Sequence, residues 1–247
     1  MKTIKTFLII IAVFVFTSCQ KEYIDEHPVA PAVYSKVKTY SEDMVSGGNH
    51  SSATFNLSYD NDNRLISMTS AASSGDRFEY HYSTDSYSLD LYNSNTLSVH
   101  EELYLNSFPF VDSTFQYNDT GDSTTQKYIY NAGKQIITVK EYDYSLQTGA
   151  ELQNTINYTY DNSGNVIKIT DDYTETTYDY YTGLVNNIVF GLPYLPISKD
   201  LAKTTTFFNG NTITAHHVYT FDAANRISTE KITTDDGDVA TTTYTYY

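Results

Sequence analysis

Tyr158-Thr159-Tyr160-Asp161-Asn162-Ser163-Gly164-Asn165-Val166 is the stretch whose reading decides the fold. Successive side chains of a strand alternate sides, so two aromatics two residues apart lie on one face. The Asp that follows can accept a hydrogen bond from the backbone two residues on and so start a type I turn. Gly164, three residues after Asp161, suits the left-handed position of a G1 bulge that closes such a hairpin. Val166 then opens the return strand. The phrase is strand, turn, strand.

It recurs along the chain. Leu57-Ser58-Tyr59-Asp60-Asn61-Asp62-Asn63-Arg64-Leu65 places Asp60 and Asn63 in the same two roles, and Tyr219-Thr220-Phe221-Asp222-Ala223-Ala224-Asn225-Arg226-Ile227 does so with Asp222 and Asn225. Looser copies are Phe115-Gln116-Tyr117-Asn118-Asp119-Thr120-Gly121 and Tyr128-Ile129-Tyr130-Asn131-Ala132-Gly133. Asn, like Gly, tolerates the left-handed conformation.

Alternating runs between turn signals predict strands at 33–40, 53–59, 64–71, 76–82, 86–92, 96–105, 113–117, 125–130, 135–144, 152–160, 165–171, 175–181, 184–190, 202–208, 211–221, 226–233 and 239–246. Connections are short, so neighbours in sequence pair antiparallel as a meander. Gly191-Leu192-Pro193-Tyr194-Leu195-Pro196 reads as a longer loop, since two prolines forbid a central strand. The fold class is therefore all-β, an antiparallel meander of roughly 14–17 strands curled into a barrel or a large twisted sheet. Composition agrees. Twenty-five Tyr, no Trp and a wealth of Thr and Ser favour strands, and no helical periodicity runs beyond two turns.

The hairpin phrase resembles the tyrosine-aspartate (YD) repeats of Rhs-type proteins, whose units share a Tyr-Asp-x-x-Gly-Arg-Leu pattern. The spacing here is irregular, and no core or toxin domain follows.

The N-terminus speaks to location. Lys2 and Lys5 precede ten apolar residues, Phe7 to Phe16, and then Thr17-Ser18-Cys19. That run spans about 15 Å as a helix, half of a bilayer core, which is the size of a signal h-region. The arrangement reads as a lipoprotein signal peptide over 1–18 with Cys19 as the lipidated first residue, although Phe16 stands where a lipobox usually has Leu. The alternative for Cys19 is an ordinary buried cysteine. Residues 19–31 read as a flexible tether and 32–247 as one β domain. Gln20-Lys21-Glu22 resembles the Lys-acidic export signal of surface lipoproteins. Taken together, leader and Thr/Tyr-rich texture resemble an uncharacterised family of Bacteroidota lipoproteins with a porin-like fold and unknown function. That resemblance implies an outer-membrane address, on the surface or the periplasmic face.

Cleavage would remove two of 15 basic residues and leave 13 against 30 acidic ones, a formal charge of −17 in place of −15. Such a chain repels nucleic acid and anionic lipid, so its membrane partner is reached through the anchor. No second cysteine exists to form a disulfide.

The terminal Thr243-Tyr244-Thr245-Tyr246-Tyr247 resembles the closing strand of an outer-membrane barrel, but also suits any last strand of a Tyr-rich protein. A transmembrane strand needs about 9–11 residues with an apolar lipid-facing row. Most runs here read as shorter, with Ser, Thr, Asn or Asp on one face and Tyr on the other, which predicts a water-soluble, lipid-anchored barrel or sheet.

Among candidate sites, the histidines are His27, His50, His81, His100, His216 and His217. His216 and His217 on one strand face opposite ways and cannot share a metal. Asp60-Asn61-Asp62-Asn63 and Asp235-Asp236-Gly237-Asp238 look like calcium loops but lack the closing glutamate, and turn chemistry explains them. No Gly-x-Ser-x-Gly elbow or His-Glu-x-x-His helix is present. No catalytic residue, metal or cofactor is assigned. Tyrosines with nearby Asn and Asp suit either core packing or a carbohydrate surface. The reading is a non-enzymatic envelope protein binding a glycan or an envelope partner. Its alternatives are a ligand-free structural protein and a hydrolase built from dispersed residues.

Overall fold

The computed structural model describes residues 36–106, 110–118, 123–145, 149–186, 188, 198 and 200–247. The strands are β1 (Val37–Ser46), β2 (Asn49–Tyr59), β3 (Leu65–Ser70), β4 (Arg77–Tyr82), β5 (Ser86–Asn93), β6 (Thr96–Leu105), β7 (Val111–Asn118) and β8 (Ser123–Tyr130). Then come β9 (Ile136–Ser145), β10 (Gly149–Tyr160), β11 (Val166–Thr170), β12 (Glu175–Val185), β13 (Asp200–Asn209), β14 (Asn211–Phe221), β15 (Ile227–Thr234) and β16 (Val239–Tyr246). Each pairs antiparallel with the next. β1 also pairs with β16, Tyr40 opposite Tyr244 and Glu42 opposite Thr242, so the meander closes into a 16-stranded barrel. Closure leaves no sheet edge unpaired.

Three readings need correction. The first strand runs six residues past the expected 33–40, because the Gly47-Gly48 turn, both residues at positive φ, lets Ser46 pair with Asn49. The expected strand 184–190 is not separate, since Leu184 and Val185 end β12 and the described residues beyond, Asn186 and Ile188, lie outside any strand. Strand length also fails to argue against a membrane: β1, β2, β6, β9, β10, β12, β13 and β14 all have ten or more residues. The leader, the tether, the Gly191–Pro196 loop and the Asp119–Gly121 turn lie outside the described residues.

What does argue is which face looks outward. The convex wall of an isolated barrel cannot shelter side chains, so the buried row of each strand points inward. Tyr40, Leu57, Met68, Tyr80, Tyr87, Leu103, Val139, Ile232 and Tyr244 are all buried. The opposite row is hydroxyl-rich: Thr54, Ser41, Thr243, Thr229 and Thr220 form one continuous rung across β2, β1, β16, β15 and β14. Neighbours in it bond directly, Ser41 to Thr54 at 2.9 Å and Thr220 to Thr229 at 2.6 Å. Transmembrane barrels put apolar side chains outside and polar ones within. The rung from Thr54 to Thr220 is the reverse of that pattern, whereas other outward positions such as Val45, Ile129 and Val218 are apolar.

The rim on which the described residues start and end is built by a repeated device. Six of the odd strands open with a buried aliphatic residue whose carbonyl accepts a hydroxyl from a tyrosine of the following strand, in five cases its last residue. Tyr59 donates to Val37 (2.9 Å), Tyr82 to Leu65 (2.7 Å), Tyr130 to Val111 (2.6 Å), Tyr160 to Ile136 (2.8 Å), Tyr180 to Val166 (2.5 Å) and Tyr246 to Ile227 (2.7 Å). Each bond satisfies a carbonyl beside a turn where the ladder is broken, and anchors a ring over the core.

Candidate functional site

The repeated turns sit on that rim. Asp60, Asp161 and Asp222 each accept, through Oδ1, the backbone N–H two and four residues on. Their own carbonyls accept the N–H of Asn63 (3.1 Å), Gly164 (3.2 Å) and Asn225 (3.0 Å), which stand at φ 65°, 92° and 60°. Burial raises the Asp60 and Asp161 carboxyls, but the hydrogen bonds they accept outweigh it and hold both low; at Asp222 the Arg226 backbone bond leads in the same direction. In two copies the residue after the bulge is Arg, which grips the turn carboxylate and lies over the rim tyrosine. Arg64 bonds Asp60 at 2.7 Å and covers Tyr82, and Arg226 bonds Asp222 at 2.7 Å and covers Tyr246. Asn131 makes the same turn with Lys134 at φ 65°, a residue type that pattern reading does not single out. All of these carboxylates are consumed by turn bonds, and no group of three or more metal-ligating side chains occurs among the described residues.

Two polar clusters lie on the inner wall. On β13 to β15, Thr205 Oγ1 lies 3.0 Å from His217 Nε2, and His217 Nδ1 lies 2.9 Å from Glu230. Tyr219 donates to the same Glu230 oxygen at 2.8 Å, and nearby Tyr40 donates to buried Glu42. Burial, seconded by Glu42, raises the Tyr40 hydroxyl; burial and then Glu230 raise that of Tyr219. The hydroxyl, imidazole, carboxylate order is that of a hydrolase triad. Yet Thr205 pairs in regular register with Tyr178 and Ala215, flat strand on both sides, and nothing presents its hydroxyl as a nucleophile elbow does. His216, on the same strand, faces outward beside Asp235.

The second cluster spans β6 to β10. Glu101 is 8% exposed, and burial pushes its carboxyl up to about 7 despite a hydrogen bond from Thr114. Gln126 donates to Glu141 at 2.6 Å, Tyr128 donates to Gln126 at 2.7 Å, and the Asn154 amide nitrogen reaches Glu141 at 3.2 Å. Asn154 Oδ1 is buried without a partner among the described residues. Sequence pattern could show that Glu101 alternates with apolar positions, but not that five strands place these groups together.

No protein-family model and no curated protein matches the chain. Solved structures do. A porin-like protein from Bacteroides uniformis aligns over 85% of this chain and 98% of its own, with TM-score 0.64 and 13% identity. The fold is porin-like. A porin-like protein from Bacteroides vulgatus aligns over 86% and 99%, with TM-score 0.62 and 11% identity. At such identity the likeness concerns the fold alone.

Proposed function

We propose that the chain is a non-enzymatic, lipid-anchored protein of a bacterial outer membrane, a Bacteroidota-type lipoprotein whose barrel stands in water and serves as a binding module. The observation that carries this is the unbroken Ser/Thr rung from Thr54 to Thr220 on the outer wall of a porin-like fold: five neighbouring strands there present a surface that lipid would reject. Membrane attachment then needs another device, and Phe7 to Cys19 has the pattern of one.

Fatty-acid labelling tests the reading. Wild type should incorporate label and remain with outer-membrane fractions, while Cys19→Ala should stay an unlabelled, full-length precursor. Labelled mature protein from Cys19→Ala would end the assignment. Protease added to intact cells should remove the barrel if Gln20-Lys21-Glu22 directs surface export; full protection would place it in the periplasm.

A further inference from the structure

Outward aromatic residues concentrate on two nearby strands. On β7, Phe115 and Tyr117 face outward, and on β9 so do Tyr142 and Tyr144; between them β8 presents Ser123 and Thr125. The register is in line: Tyr117 stands opposite Ser123 and Ser123 opposite Tyr144, while Phe115 stands opposite Thr125 and Thr125 opposite Tyr142. Two aromatic rails therefore flank a floor of hydroxyls. They are two strand spacings apart, about 10 Å. Tyr117 and Tyr144 are 40% and 50% exposed, so these rings are not core. The rung from Thr54 to Thr220 holds only Ser and Thr, and other outward positions hold single apolar residues such as Val45 and Val218, whereas here two aromatic pairs stand in register across three strands.

What surrounds the rails selects the occupant. The His100 ring packs at a tilt against Tyr117, 4.9 Å between ring centres, and is held by Asp90, and Glu102 stands opposite Phe115 and accepts the Tyr104 hydroxyl. A bilayer or an apolar protein face would strip water from those carboxylates and from the hydroxyl floor without replacing its hydrogen bonds. A polyol replaces them: its C–H faces stack on rings, and its hydroxyls donate to carboxylates and exchange bonds with Ser and Thr. The charge around the rails is mixed, with Asp90 and Glu102 beside β7 and Lys127 Nζ over the Tyr142 ring at 5.8 Å, and the formal charge of −15 on the whole chain disfavours anionic polymers. A rail separation of about 10 Å matches the length of a disaccharide unit, so each rail can meet an alternate sugar of one chain lying across β7 to β9.

We infer that the Phe115, Tyr117, Ser123, Thr125, Tyr142 and Tyr144 groove binds a neutral glycan chain. This deepens the binding-module reading and rests on it, but binding in solution does not depend on the anchor. A failed groove and a failed anchor are therefore read separately.

The test uses the full chain purified in mild detergent and affinity electrophoresis through gels holding mixed-linkage β-glucan, xyloglucan, galactomannan, glycogen or polygalacturonate. At least one neutral polysaccharide should retard wild type. Tyr117→Ala combined with Tyr144→Ala should weaken that retardation at least tenfold, with far-UV circular dichroism unchanged because both side chains are surface groups. Tyr173→Ala, 77% exposed in the turn between β11 and β12, should bind as wild type. Retardation by none of the neutral polymers, retardation only by polygalacturonate, or retardation unchanged in the double variant would overturn the inference. So would a dimer in sedimentation that the double variant dissolves, which would assign the groove to a second copy.

Discussion

Glu101→Gln should leave stability unchanged below about pH 4.5 and stabilise the barrel increasingly from there to a little above pH 7. Glu101 points inward from β6, opposite Leu89 on β5 and Gln116 on β7, with the Thr114 hydroxyl as its hydrogen-bond partner. Burial raises its carboxyl from 4.5 to about 7. The native state then keeps its proton in a pH range where the unfolded chain has lost it. Stability falls as pH rises through that range, because the native form binds more protons. The loss begins near pH 4.5 and is complete somewhat above pH 7; at 1.36 kcal/mol per pH unit the shift corresponds to roughly 3 kcal/mol. Gln keeps the shape and can still bond Thr114, but carries no charge to desolvate. Urea denaturation of the full chain in mild detergent, followed by tyrosine fluorescence, should give equal stability for wild type and Glu101→Gln at pH 4. At pH 8.5 the variant should be ahead by roughly 3 kcal/mol. A difference that is the same at both pH values, or a variant weaker than wild type at pH 8.5, would refute the argument.

Gly164→Val should cost on the order of 1–2 kcal/mol, since a β-branched residue at φ 92° meets its own backbone, while Thr159→Val on the adjoining strand should be near neutral. Asn63→Gly and Asn225→Gly, both at positive φ, should be neutral or slightly stabilising in the same assay; a loss equal to that of Gly164→Val would break the shared-turn account. Tyr82→Phe and Tyr160→Phe each leave a turn-flanking carbonyl without its hydroxyl donor and should cost about 1 kcal/mol by chemical denaturation, whereas Tyr173→Phe should cost nothing measurable.

Much of the strand order was legible because the turns announce themselves. Asp followed three residues later by Asn or Gly is a local code, and Asp60, Asp161 and Asp222 write it plainly. Tyr59, Tyr160 and Tyr246 were legible as strand residues but not as rim anchors, because their carbonyl partners sit 22, 24 and 19 residues away in sequence. Gly47-Gly48 was readable as a tight turn, yet Ser, Glu, Asp and Met around it dilute the alternation that would mark β1. Closure itself rests on β1 meeting β16, a pairing over about 200 residues that no local pattern encodes. The aromatic rails are of the same kind. Phe115-Gln116-Tyr117 and Tyr142-Asp143-Tyr144 look like any other alternating phrase until the register shows them facing outward around Ser123 and Thr125.

The central claim is that this porin-like barrel turns its outer wall to water. Single cysteines at outward, exposed positions test it: Asn56→Cys, Asn157→Cys, Thr220→Cys and Thr243→Cys, with Asp62→Cys in a rim turn as reference. Open membrane sheets from lysed cells are treated with a charged, membrane-impermeant maleimide before and after detergent. All four wall positions should label as fast as Asp62→Cys without detergent. Labelling of Asp62→Cys alone, with the wall protected until detergent dissolves the bilayer, would mean that the wall faces lipid and that the account is wrong.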